Sequence, residues 1–214
     1  MTSLFKISLF SVLFMLLTVH SAKAQYAAYD RNMSLGLTFS PNMSWLNYED
    51  GSSAEDSPKA GYAYGLIADL GFARNYYFST GLLINTLYSG AKLPVDGGTD
   101  PVAQIYRLQY AEVPLAIKLK TNDGGAGRFY GQFGFTAGVK VSGKERPESR
   151  TDYRAIDGDD VFRLGLLIGA GAEWRLSNSL SALTGLSYNN GFTRAMKSGS
   201  PKLSYASFNI GLLF

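Results

Sequence analysis

The chain has 214 residues, enough for one ordinary domain or one small barrel. It has no cysteine, which excludes disulfides, thiolate metal sites and a cysteine nucleophile. The formal charge is +3, but Lys6 and Lys23 lie in a leader segment; without them 18 basic residues face 17 acidic ones, so a pI near 9 supports no nucleic-acid partner.

Met1–Ala24 reads as a secretory signal peptide. Lys6 precedes an apolar run from Ile7 to Val19, and Ala22 and Ala24 give a small-x-small cleavage pattern before Gln25. The run is shorter than the roughly 20 residues a spanning helix needs. The expected division is a leader at 1–24 and a single barrel domain at 25–214.

After the leader, period-two segments follow one another. Met33–Trp45 sets Leu35, Leu37, Phe39, Met43 and Trp45 against small polar residues, with Pro41 on the apolar side. Asn47–Lys59 reads as a polar loop. Gly61–Phe72 carries Tyr62, Tyr64, Leu66, Ala68, Leu70 and Phe72 on one face and Gly61, Gly65, Asp69 and Gly71 on the other. A short turn at Ala73–Asn75 leads to a third strand over about Tyr76–Lys92, with Phe78, Thr80, Leu82 and Ile84 on one face. A polar tip, Pro94–Pro101, precedes a fourth strand over about Ala103–Lys120. There Ala111, Val113, Leu115, Ile117 and Leu119 oppose Tyr110, Glu112, Pro114, Ala116, Lys118 and Lys120.

A Gly-rich turn at Thr121–Gly127 precedes a fifth strand. Phe129, Phe133, Phe135, Val139 and Val141 face one way, and Tyr130, Gln132, Gly134, Thr136, Gly138 and Lys140 the other. Ser142–Asp160 is the most charged loop. The pattern is cleanest in Phe162–Leu176, where Phe162, Leu164, Leu166, Ile168, Ala170, Ala172, Trp174 and Leu176 form a face with no charge. The opposite face is Arg163, Gly165, Leu167, Gly169, Gly171, Glu173 and Arg175. At 15 residues it far exceeds the usual strand of about 5–6. A short turn at Ser177–Ser179, a strand over Leu180–Asn189, a polar loop over Asn190–Ser204 and a closing strand ending on Phe208, Ile210, Leu212 and Phe214 complete the chain.

Eight strands joined by alternately short turns and long loops are the layout of an up-and-down, eight-stranded antiparallel transmembrane β-barrel, with both termini on the periplasmic, short-turn side. Closure leaves no unpaired backbone group in hydrocarbon. Eight strands leave a bore just filled by side chains, so inward residues must be small or must pair. The inward set supplies glycines together with Asp69, Glu112 and Glu173 against Lys118, Lys120, Lys140, Arg163 and Arg175. An interior charge network of Asp69, Glu112, Lys118, Lys140, Arg163, Glu173 and Arg175 is therefore expected. Outward aromatics should form two girdles: Phe72, Tyr76, Tyr77, Phe129, Trp174 and Phe214 near the short turns, and Trp45, Tyr62, Tyr88, Tyr106 and Phe192 near the long loops. Pro114 should force a bulge, because a closed barrel has no free edge for it.

Tyr110-Ala111-Glu112-Val113-Pro114-Leu115 resembles the Tyr-x-Glu-(Ile/Val)-Pro-Leu strand of the PorT-like outer-membrane β-barrel family of Gram-negative bacteria. Gly165–Trp174 is similar to that family's G-x-x-x-G-x-G-x-E-aromatic strand, and so is the closing aromatic Phe214. The resemblance implies the outer membrane and a terminal signal at Phe214 for barrel-assembly machinery. The founding member is associated with protein secretion, so an accessory role in secretion is one alternative.

His20, the one histidine, lies in the leader, so the remaining chain can build neither a Ser-His site nor a typical zinc site. No catalytic, cofactor or metal residues are expected; Asp157–Asp160 carries carboxylates but lacks the spacing of a calcium loop. Expected partners are outer-membrane lipid and lipopolysaccharide, the assembly machinery and an extracellular or periplasmic protein; Arg146, Glu148, Arg150 and Arg154 are candidates to contact lipopolysaccharide phosphates or a partner, against the commoner reading of a solvated charge run. A structural or surface protein-binding role competes with a narrow ion or solute pore, and with a soluble lipocalin-like carrier whose faces would have to be reversed.

Overall fold

The computed structural model describes residues 33–47, 55–93, 102–156, 161–195 and 201–214. Met1–Ala24, Pro94–Pro101 and Asp157–Asp160 lie outside them. Among the described residues are eight long strands and one short one: β1 (Met33–Asn47), β2 (Glu55–Ala73), β3 (Tyr76–Leu93), β4 (Val102–Lys120), β5 (Gly127–Pro147), β6 (Arg154–Ala155), β7 (Phe162–Arg175), β8 (Ser181–Gly191) and β9 (Lys202–Leu213). Every long strand pairs antiparallel with its neighbours in sequence, and β1 pairs with β9, so the sheet closes into an eight-stranded barrel. The seam continues through Phe214, whose backbone exchanges hydrogen bonds with Leu35. Short β6 lies along β5 outside the ring.

The alternation in sequence becomes an inside and an outside. On β1, odd positions from Met33 to Met43 are exposed while Ser40, Asn42 and Ser44 are buried. Leu66, Leu82, Leu115, Phe135, Ile168, Leu186 and Ile210 likewise stand exposed on the exterior. A water-facing sheet would not leave so many large apolar side chains uncovered. The buried set instead mixes polar and charged groups with apolar ones: Asp69, Glu112, Glu173 and Asn189 are nearly inaccessible inside, as are Leu46, Leu87, Leu108 and Leu203.

Several expectations need correction. Pro114 sits in register opposite Thr136, without a bulge. Its missing N–H costs rungs instead: pairing to β3 lapses between Glu112 and Leu115 and resumes unshifted. The bulge lies in β5, where Tyr110 pairs with Lys140 but Gln109 with Ser142, leaving Val141 over. Tyr77 and Tyr106 point inward and are buried, because each shares the parity of its strand's interior residues. The polar stretches read as loops are partly strand: β2 begins at Glu55 and β5 runs to Pro147. The wall of β2, β3, β4 and β5, at 19, 18, 19 and 21 residues, therefore stands taller than β8 and β9, at 11 and 12.

Candidate functional site: the filled bore and its tall wall

The bore holds two charged layers and an apolar cap. Nearest the short turns, a chain of alternating charge runs Lys118–Asp69–Lys120–Glu173–Arg128. Lys118 and Lys120 place their Nζ atoms 2.9 and 2.8 Å from Asp69 Oδ2. Lys120 also lies 2.7 Å from Glu173 Oε1, and Arg128 Nε donates to Glu173 Oε2 at 2.9 Å. Ser79 Oγ donates to the other Asp69 oxygen. The ammonium groups of Lys118 and Lys120 lie over the rings of Tyr130 and Tyr77 at 4.8 and 4.2 Å. Buried carboxylates are tolerable only with such partners.

The second layer centres on Glu112. Its Oε1 accepts from Arg163 Nη1 at 3.0 Å, and its Oε2 from Asn85 Nδ2 and the Tyr205 hydroxyl at 3.0 and 2.8 Å. Arg163 Nη2 donates onward to Asn189 Oδ1 and the Leu203 carbonyl, and Asn189 Nδ2 donates to Thr136. Asn42 Nδ2 of β1 donates to Asn85 Oδ1 at 3.0 Å, so strands β1, β3, β4, β5, β7, β8 and β9 all contribute to this one cross-brace. Between the layers is a cavity of about 80 Å³, lined by polar groups of Ser40, Asn85, Lys118, Gln132 and Ser187 beside apolar Leu83 and Leu183.

Above Glu112 the bore turns apolar. Leu46, Leu87, Tyr106, Leu108, Tyr110 and Leu203 pack into one buried cluster, closed by Ile156 and Ala195 from the long connections. The Ile156 amide donates to the Gly143 carbonyl and the Ala195 amide to that of Pro201, which pins both segments over the opening.

Of the sequence-derived network, Asp69, Lys118 and Glu173 meet in the lower layer, and Glu112 and Arg163 in the upper. Lys140 lies above Glu112, its Nζ donating to the Ala195 carbonyl at 2.6 Å. Arg175 does not join the interior: it is 49% exposed at the mouth and pairs there with Asp123 of the β4–β5 turn. Its strand ends at this level, so inward parity no longer means burial. Sequence reasoning missed Arg128, although it shares a face with Tyr130 and Gln132.

A family model described as an outer membrane protein beta-barrel domain matches residues 23–197. The chain belongs to this outer-membrane β-barrel family. Its exposed apolar belt is accordingly a lipid-facing surface, and its place is the outer membrane. Among solved structures, Neisserial surface protein A is 10% identical, with 85% of this chain and 95% of that one covered and a TM-score of 0.49. Ail of Yersinia pestis, in complex with the heparin analogue sucrose octasulfate, is 15% identical over 85% and 99% of the two chains, at 0.45. OprG of Pseudomonas aeruginosa is 13% identical over 85% and 94%, at 0.45. No curated protein matches the chain.

In this outer-membrane barrel the exposed aromatics Phe72, Tyr76, Phe129, Trp174 and Phe214 lie toward the short-turn end, and Tyr62, Tyr188 and Phe192 toward the other. Trp45 stacks on Tyr188 across β9, with centroids 6.0 Å apart. In the third long connection, Glu148 pairs with Lys59 at 3.1 Å, and Arg146 donates to the Arg150 carbonyl while lying over the Tyr153 ring. Arg154 pairs in the ladder with Glu145.

Proposed function

We propose that this protein works at its surface and not through its bore, as a non-catalytic outer-membrane barrel with a structural or surface protein-binding role. The observation that carries this reading is the plug. The Glu112–Arg163 brace, the lower charge chain and the apolar cap are stacked along the bore, and opening a path would separate buried ion pairs. The tall wall of β2–β5 supports the surface role, because it lifts the polar upper ends of β2 and β5 above the apolar belt. In this reading the long connections face outward and both termini lie in the periplasm. Outer-leaflet lipid and lipopolysaccharide surround the belt, and Phe214 serves as the signal for the assembly machinery.

The Tyr110–Leu115 motif favours a place in the PorT-like branch of the family, and with it an accessory role in protein secretion. A narrow ion or solute pore is the second reading, favoured by the cavity between the two charged layers. Planar-bilayer recordings of the purified barrel decide between them. No stable conductance steps are expected; discrete, reproducible steps overturn the closed-barrel reading.

A further inference from the structure

The β5 bulge has an effect on the outside of the tall wall. Below Val141 the even-numbered residues of β5 face the bore, as Lys140 does; above it they face out, as Lys144 does. Lys144 is thereby set directly opposite Arg107 of β4, and Arg107 directly opposite Tyr88 of β3. Two like charges as cross-strand partners destabilise a sheet. Among the described residues no carboxylate pairs with either cation; the Arg107 guanidinium lies over the Tyr88 ring at 5.8 Å. Such a pair is relieved by an anion that accepts from both.

The rows beneath say which anion. One step down, the wall is neutral and polar at Gln109 and Ser142, with Gln109 Nε2 donating to Oγ1 of Thr86, itself fully covered, at 3.3 Å. The step below that is apolar: Ile84, Ala111 and Val139. Reading upward, the surface passes from apolar to neutral polar to cationic within three rows. An outer-leaflet glycolipid has the same profile, with acyl chains, then carbonyls and sugar hydroxyls, then phosphate. Arg and Lys together suit phosphate, one by its fork of donors and the other as a point charge.

We propose that Arg107 and Lys144 form a binding site for the phosphate of a phosphorylated outer-leaflet glycolipid, whose chains lie along Ile84, Ala111 and Val139. This rests on the proposed orientation, with the long connections outside. The protein is refolded into phosphatidylcholine nanodiscs carrying a minor fraction of either lipid A or its dephosphorylated form, then released, and the retained glycolipid is counted by native mass spectrometry. Wild type is expected to retain the phosphorylated form by about tenfold over the dephosphorylated one. Arg107→Gln with Lys144→Gln should abolish that preference, and Arg150→Gln with Arg154→Gln should keep it; heat-modifiable migration checks that each variant folds. Equal retention of the two lipids by wild type overturns the proposal without recourse to any variant, and so does undiminished preference in the folded Arg107→Gln, Lys144→Gln protein. Orientation is read separately, from labelling of Lys144→Cys on intact cells by an impermeant maleimide. Labelling only after the outer membrane is broken overturns the orientation itself, and the lipid assignment with it.

Discussion

Glu112 and Arg163 stand on β4 and β7, which are not neighbours, and they pair across Gly138 of β5. Gly138 is the ladder partner of both, and a Cβ there would lie 3.0 Å from Glu112 Cγ and 3.7 Å from Arg163 Cβ. The missing side chain is what lets the 3.0 Å ion pair close over the intervening strand. Removing one partner leaves the other buried and uncompensated. Glu112→Ala is therefore expected to cost about 3–5 kcal/mol in denaturant unfolding from lipid or detergent. Glu112→Leu combined with Arg163→Met should recover much of that loss.

Glycines inside and outside the barrel should respond in opposite ways. Gly138→Leu forces a side chain between Glu112 and Arg163 and should cost at least about 1–3 kcal/mol from overpacking. On the same strand, a Cβ at Gly131 meets nothing within 4 Å. Gly131→Leu is expected to leave stability within about 0.5 kcal/mol of wild type. Unfolding midpoints of the two variants, measured side by side, check the contrast.

The cap depends on ordinary hydrophobic packing at the level of the long connections. Leu108 is 1% exposed among Leu46, Leu87 and Leu203. Leu108→Ala should lower stability by about 2–5 kcal/mol through the cavity it leaves. It should also loosen the segment around Ile156, which packs on the same cluster. Faster proteolytic nicking between Arg150 and Ile156, with the membrane-embedded strands still protected, is the expected readout.

The lipid-facing belt should reject charge most strongly at its middle. Phe135 is exposed on the exterior, in one row with Leu115 and Leu166. Phe135→Arg is expected to cost roughly 2–4 kcal/mol in bilayer refolding, whereas Phe129→Arg, near the short turns, should cost about 0–1.

Sidedness was legible because lipid outside and small or paired groups inside give each strand a strong contrast of period two. Gly65, Asp69, Glu112 and Glu173 could be placed inward from that contrast alone. It fades where strands leave the membrane: the upper end of β5, Ser142–Pro147, is polar on both faces and reads as loop. Tyr77 and Tyr106 follow the parity of their strands inward, against the general preference of such aromatics for an interface. The apolar cap is assembled from Leu46, Leu87, Leu108, Ile156, Ala195 and Leu203, which lie far apart in the chain, so no local pattern announces it. Partner choice is equally non-local. That Lys118 meets Asp69 while Arg163 meets Glu112 depends on the stagger of the strands, and residue types do not encode it. The bulge at Val141 had no sequence signal of the kind that Pro114 offered.

Site-directed spin labelling in bilayers tests the central claim most directly. Labels at Phe135 and Leu186 should collide with dissolved oxygen and be shielded from a water-soluble nickel relaxant. Labels at Gln132 and Thr136 should be shielded from both, because the bore is filled. Strong nickel relaxation at Gln132 and Thr136 would reveal a water-filled channel, and oxygen access there with nickel access at Phe135 would turn the barrel inside out; either result contradicts the account.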